Sequence, residues 1–186
     1  MIHVFIDADN QSCKLAPFIF HYIQSTYRNK REDIFCWVAG NSDGKRLELW
    51  VDSLKEITLL NENIVVKKMP SIEDAADIQI IMWMSSIVEK NKKNSAITKD
   101  RIVIVSRDGL LIRTGHIIND LYKMDVSVIV SDNHFEIPKD KHSIPIILMP
   151  VRDNDEFYNR KLASVVDRFN SIEQNACATS PPLVAS

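Results

Sequence analysis

Glycine and cysteine are scarce in this 186-residue chain, and each scarcity closes off a class of chemistry. There are only four glycines. No glycine-rich phosphate-cradling loop can be built from them, so nucleotide-dependent chemistry is not expected. The three cysteines, Cys13, Cys36 and Cys177, are an odd number without CxxC spacing. That points away from both a disulfide framework and a zinc site. The five histidines show neither HExxH nor another paired metal spacing, and His3 reads as a strand histidine. No apolar run approaches the roughly 20 residues that a membrane span needs. The chain enters a strand at once, without a charged leader or a cleavage site. The expectation is a soluble, cytoplasmic protein with no membrane partner and no nucleotide cofactor. A net charge of -2 and a pI near 6.2 argue against a basic coat for nucleic acid. Local potential steers ligands more than net charge does, so a charged patch remains open.

What is present fits one ordinary α/β domain. The chain is 45% hydrophobic, enough for a real core. Short β-branched runs alternate with helix-length segments, the pattern of a parallel sheet covered on both faces. Strands are expected at Ile2–Ile6, Ile34–Val38, Ile64–Val66, Ile102–Val105, Val126–Val130 and Ile144–Met149, the last near an edge. A helix is expected from about Ala16, with Pro17 in its first turn and Phe18, Tyr22 and Ile23 inward. Leu47, Trp50, Val51 and Leu54 recur at helical spacing. The Ile78–Met84 stretch is apolar nearly all round, which predicts a helix buried on more than one side. Lys90–Lys99 reads as a surface connection, Leu110–Met124 as a helix and Phe157–Phe169 as a last amphipathic helix. Residues 1–172 form the expected single domain, and 173–186 an expected disordered tail.

Three aspartates sit where apolar segments meet polar residues. Asp7 ends Val4-Phe5-Ile6, Asp77 precedes Ile78, and Asp108 follows Ile102–Val105. In a doubly wound sheet, ligands bind outside the carboxyl ends of the strands, where strand order reverses. Right-handed crossovers place the ends of the first and fourth strands on one edge, and the helix after the third strand starts there too. Three acids converging at one edge repel each other unless a cation compensates. Their hard oxygen ligands suit Mg²⁺ or Mn²⁺. Such an ion lowers the pKa of bound water and stabilises a leaving oxygen at a phosphodiester. Asn10 and Ser106 lie beside these acids as hydrogen-bonding groups. Each acid also has a plain structural use: Asp7 and Asp9 as turn-formers or caps, Asp74 as a first-turn residue, and Asp108-Gly109 as a strand-to-helix turn.

The segment Val4-Phe5-Ile6-Asp7-Ala8-Asp9-Asn10 resembles the opening strand of NYN and related PIN-like nuclease domains, which carry an aspartate and, three residues on, an asparagine. Ala75-Ala76-Asp77-Ile78 is similar to the family's acid at the start of a central helix. Ile104-Val105-Ser106-Arg107-Asp108-Gly109 is similar to its strand followed by Ser-x-Asp-Gly. The likeness runs from about Ile2 to Val130. It implies a PIN-like three-layer α/β/α sandwich with a central, mainly parallel sheet of five to six strands. It further implies Mg²⁺- or Mn²⁺-dependent cleavage of RNA, and homodimerisation. Asp7, Asp77 and Asp108 would be catalytic and metal-binding acids, supported by Asn10 and Ser106.

Two positions depart from that pattern. Leu110 stands where many members carry a further acid, and Glu73 and Asp74 precede the central acid where relatives often have a basic residue or Asn. A fourth carboxylate must come from Asp9, Asp74 or Asp132, or be missing; Asp9 is the candidate metal ligand adopted here. Lys45, Arg46, Lys67, Lys68 and Arg107 are candidates for phosphate contact, with Arg107 best placed and Lys45 next to a turn. Ordinary solvated surface is the plain alternative for each lysine. Trp37 and Trp50 have the chemistry to stack bases, but their strand and helix positions favour core packing. The expected activity is that of a metal-dependent endoribonuclease. The rival from another class is an impaired PIN-like domain that binds RNA or a protein partner without cutting. A phosphatase lacks a nucleophile motif beyond Asp7-x-Asp9.

Overall fold

Apolar runs without alternation need cover on both faces, and the sheet supplies it. The structure is a computed structural model, and it describes residues 1–27, 33–41, 44–58, 61–93, 100–131 and 144–149. Its strands are β1 (Ile2–Asp7), β2 (Ile34–Asn41), β3 (Ile64–Met69), β4 (Arg101–Val105), β5 (Val126–Ser131) and β6 (Ile146–Met149). They form one six-stranded sheet in the order β3-β2-β1-β4-β5-β6, parallel throughout. β1 and β5 are buried at every position. The helices are α1 (Ala16–Tyr27), α2 (Arg46–Thr58), α3 (Ala75–Lys93) and α4 (Gly109–Tyr122).

Two separate cores make the arrangement a three-layer α/β/α sandwich. On one face, Ile2, Val4 and Ile6 of β1 pack with α1 and α2 around fully buried Trp50 and Ile19. On the other, Phe5, Ile104 and Val128 pack with Ile80 and Met84 of α3 and Leu111 of α4. α4 lies so close to the sheet that a Cβ at Gly115 would stand 2.9 Å from Ile104 Cδ1. A side chain there would force the Ile104 and Ile144 methyl ends to shift. Strand order reverses between β1 and β4, whose registers run Ile2↔Arg101 to Ile6↔Val105. The crevice expected of such a sheet therefore opens beyond Asp7 and Val105.

Several sequence expectations shift. β3 runs past Val66 through Lys67 and Lys68, which are exposed on an edge strand; edge lysines discourage further strand pairing. β2 likewise runs on to Asn41. Lys90–Lys93 are not a connection but the last turn of α3, where lysines complement the helix dipole and Glu89 pairs with Lys92 and Lys93. α3 is not buried on several sides either: Ile80, Met84, Ile87 and Val88 face the core, whereas Ile78 and Met82 are 54% and 60% exposed. One helix on one sheet face has a single inward side, whatever its composition. Among the described residues, no helix is long and apolar enough to cross a membrane. Asp132, the expected helix Phe157–Phe169 and the tail 173–186 lie outside the described residues.

Candidate functional site

The loop after β1 is held from three directions. The Asp7 carbonyl accepts the amides of Asn10 and Gln11 at 3.3 and 3.2 Å, and the Ala8 amide donates to the Ala39 carbonyl at 2.9 Å. Gln11, buried, accepts the Ser131 amide on its Oε1 at 3.1 Å, while fully buried Trp50 donates to the Gln11 carbonyl at 2.9 Å. Asp9 ties the loop to β2, since its Oδ2 accepts the Asn41 amide at 2.7 Å. Gly40 makes that possible: a Cβ there would stand 3.0 Å from Ala8 Cβ. The Arg46 guanidinium closes over the Asp9 carbonyl.

Inside this frame Asp7 is 5% exposed. Its Oδ2 accepts the Ser106 hydroxyl at 3.2 Å and its Oδ1 the Asp9 amide at 3.2 Å. Burial pushes its pKa up to about 6, and the bonds from Ser106 and Asp9 only partly oppose that. Ser106 is a relay. While donating to Asp7 it accepts the Asp108 amide at 3.0 Å, which fixes the turn after β4 against the end of β1. Asn10 does the same from the other side: its Oδ1 accepts the Arg107 amide at 2.9 Å and Gln11 Nε2 at 3.0 Å.

Asp77, in the first turn of α3, faces this assembly. Its Oδ1 is buried and has no hydrogen-bond partner among the described residues. Burial first, and then the charges of Asp7, Asp108, Asp74 and Asp9, raise its pKa to about 7. The acids predicted from topology are therefore close enough to feel one another. A cavity of about 220 Å³ lies between them, with Asp7, Asp9, Asp74 and Asp77 on its acidic side and Asn10 and Asn41 as amides. Met69, Pro70 and Ile72 form an apolar lip. Asp74 enters the cavity wall from a left-handed backbone at φ 56°, a conformation that Asp tolerates better than most residues.

Asp108 and Ser106 do not line this cavity. Asp108 is the N-cap of α4: its Oδ1 accepts the amides of Leu110 and Leu111 at 2.7 and 3.3 Å. The plain reading of Asp108-Gly109 as a strand-to-helix turn thus holds alongside its closeness to the acids. Arg107 and Lys45 are both exposed outside the cavity lining, and it is Arg46 that touches the loop. Among the described residues, no three His, Cys, Asp or Glu side chains are gathered tightly enough to hold a metal ion between them. Trp37 donates to His3 Nδ1 and stacks on Phe5, a core role like that of Trp50.

Sequence reasoning missed Gln11, Asn41 and the Met69–Ile72 lip. Nothing local marks them, because their roles arise from β2, β3 and β5 ending at the same edge of the sheet as β1. Asp74 entered only as one of three options for a fourth acid. No family model matches the chain, and no curated protein is found to resemble it.

Proposed function

We propose that this chain is a PIN-like, metal-dependent ribonuclease, with the acids beyond β1 and β4 as its centre. The observation that carries the reading is Asp77: a carboxylate with an orphaned buried oxygen, its proton retained near neutrality by burial and then by four other aspartates. Burying an unpaired charge among like charges is costly, and a divalent cation removes the cost. The donor set fits Mg²⁺ or Mn²⁺, both of which take hard oxygen ligands. An open pocket suits them better than a closed cage, because Mg²⁺ keeps several waters and binds through one or two carboxylates. Asp7 and Asp77 would hold the ion, with Asp9 or Asp74 beside them and Asp108 acting at longer range. When bound, the ion supplies an acidified water and neutralises charge at the phosphodiester.

The chain's own residues do the rest. Ser106 orients Asp7, and Asn10 holds the Arg107 backbone at the rim. Arg107 and Lys45, exposed outside the cavity lining, would meet backbone phosphates of RNA. Asp7 and Asp77 must give up their protons before they can bind a cation, so activity rises with pH through about 6 to 7. A second reading is favoured by Asp108, whose carboxylate caps α4, and by Leu110 in place of a further acid. In that reading the domain binds RNA without cutting it.

Incubation with single-stranded and structured RNA, with and without Mn²⁺, separates the two. The nuclease reading expects metal-dependent cleavage by wild type, lowered at least about 10²-fold in Asp7→Asn and Asp77→Asn with RNA binding retained. Equal cleavage by wild type and variants would sink it. Binding without cleavage selects the second reading.

A further inference from the structure

The cavity beyond β1 is lined by two kinds of surface. Its acids lie deep: Asp7 is 5% exposed, and one oxygen of Asp77 is buried. The segment that joins β3 to α3 contributes the rest of the lining with Met69, Pro70, Ile72, Ala75 and Ala76, and only Asp74 brings a charge from that stretch. Ile72 is 69% exposed. A single exposed isoleucine means little by itself. Five apolar residues sharing one cavity with a set of carboxylates are another matter. They fit a ligand that is charged at one end and apolar at the other.

The lip is also fixed in shape before anything binds. The Ile72 amide donates to the Pro70 carbonyl at 2.8 Å, closing a three-residue turn whose first φ is set by the proline ring. The Ala75 amide donates to the Ile72 carbonyl at 3.2 Å. The Ser71 hydroxyl donates to Asn41 Oδ1 at 2.9 Å, which pins the turn to the end of β2 and leaves Pro70 and Ile72 on the cavity. An apolar surface held this way loses little conformational freedom on binding.

A nucleotide has the same division as the cavity. Its phosphate seeks a cation, and its base offers two apolar faces. With the phosphate at the acids, the attached base meets the lip, since one cavity of about 220 Å³ is lined by both. Enzymes that take up an extruded base hold it against apolar or aromatic side chains in this manner. In a duplex, stacked neighbours cover both faces of every base. A paired base therefore cannot cover the lip, and Ile72 stays in water. Burying that apolar surface favours the unpaired strand alone.

We propose that Met69, Pro70 and Ile72 form a base-holding platform that restricts this site to unpaired nucleotides of single-stranded RNA, with Ile72 as its main specificity-determining side chain. The proposal rests on the nuclease reading of the acids and adds the substrate class to it.

Two measurements on the full chain with Mn²⁺ test it. The first is cleavage of an unstructured RNA and of the same strand in a perfect duplex. Wild type is expected to favour the single strand at least about tenfold in kcat/KM, and Ile72→Ser to raise KM for it about tenfold with kcat held, as for loss of one stacking side chain. Ile72→Phe, which keeps an apolar face, is expected to hold KM at or below the wild-type value. Unchanged Tm and Mn²⁺ affinity in both variants would show that the fold and the acids are intact. The second measurement is the fluorescence of 2-aminopurine placed at successive positions of the single strand. At one position it is expected to rise on binding, because the base leaves its stacked neighbours, and the rise is expected to vanish in Ile72→Ser. Equal cleavage of single strand and duplex, or a KM indifferent to Ile72→Ser, overturns the platform and leaves the nuclease reading standing. If no RNA is cut, the nuclease reading fails and the fluorescence decides alone: a rise lost in Ile72→Ser upholds the platform, and no rise overturns it.

Discussion

The two ends of the central sheet each hold a carboxylate network, built on opposite terms. At the amino end, Asp100 accepts the Met1 amino group at 2.9 Å, His3 Nε2 at 3.3 Å and Asn91 Nδ2 at 3.2 Å. Trp37 can only donate, so His3 Nδ1 accepts from it and Nε2 carries the proton toward Asp100. Burial alone would push Asp100 up, but these donors outweigh it and hold its pKa below the usual carboxylate value. Burial lowers the pKa of His3, and its acidic neighbour Asp100 only partly opposes that. At the carboxyl end, Asp7 and Asp77 are driven the other way, and one oxygen of Asp77 has no partner. Buried acid by itself therefore says little about function. What separates a site from a structural clamp is charge of one sign left uncompensated.

The comparison can be broken by exchanging the fates of the two networks. Asp7→Asn is expected to lower metal-dependent RNA cleavage by about 10²- to 10³-fold, the usual loss when one transition-state stabiliser goes, with little change in unfolding. Asp100→Ala is expected to do the reverse. It leaves His3 and Asn91 without their acceptor and costs about 1–3 kcal/mol in urea unfolding, while cleavage survives. Cleavage lost in Asp100→Ala, or unaffected in Asp7→Asn, would erase the distinction between the ends.

Smaller effects sharpen it. Ser106→Ala removes the group that orients Asp7, and metal affinity measured by calorimetry is expected to fall about tenfold, as for other partners of ligating carboxylates. The pH dependence of stability also differs in sign. Asp7 and Asp77 bind their protons more tightly folded than unfolded, so without metal they lower stability as pH rises from about 4 to about 7. Asp100 binds its proton less tightly when folded, so its contribution is present above the unfolded value of 3.8 and is lost as pH falls through its depressed folded value. Asp77→Asn is accordingly expected to flatten the upper limb and raise the metal-free Tm at pH 8 by about 3 °C, equivalent to ~1 kcal/mol in a chain of this size. Added Mn²⁺ is expected to raise the Tm of wild type but not that of Asp7→Asn. A Tm that climbs with pH across the same window would contradict the like-charge account.

Much of this molecule was legible from apolar runs alone. Ile2–Ile6 and Ile102–Val105 read as doubly covered strands, and their parallel pairing places Asp7 and Ser106 at one crevice. Asp77 was legible because a carboxylate ahead of an apolar helix needs a reason. The dual position of Asp108 was less so: a helix cap and a member of an acid cluster have the same local sequence. The tie from Asp9 to the Asn41 amide and the clamp of Gln11 on Ser131 cross 32 and 120 residues of chain. No local pattern encodes a contact of that span. Ile78–Met84 was misread for the same reason, since composition counts apolar side chains without showing which of them meets the sheet.

By itself the sequence determined which segments had to be buried and which acids had to end them, because hydrophobic period and strand–helix alternation are local properties of the chain. Tertiary structure decided which of those acids keep a partner and which do not. It turned Asp9 and Asp108 into backbone clamps and set Asp74 beside Asp77. Those outcomes depend on distances between strands far apart in sequence, which only the packing of both helical layers on one sheet supplies.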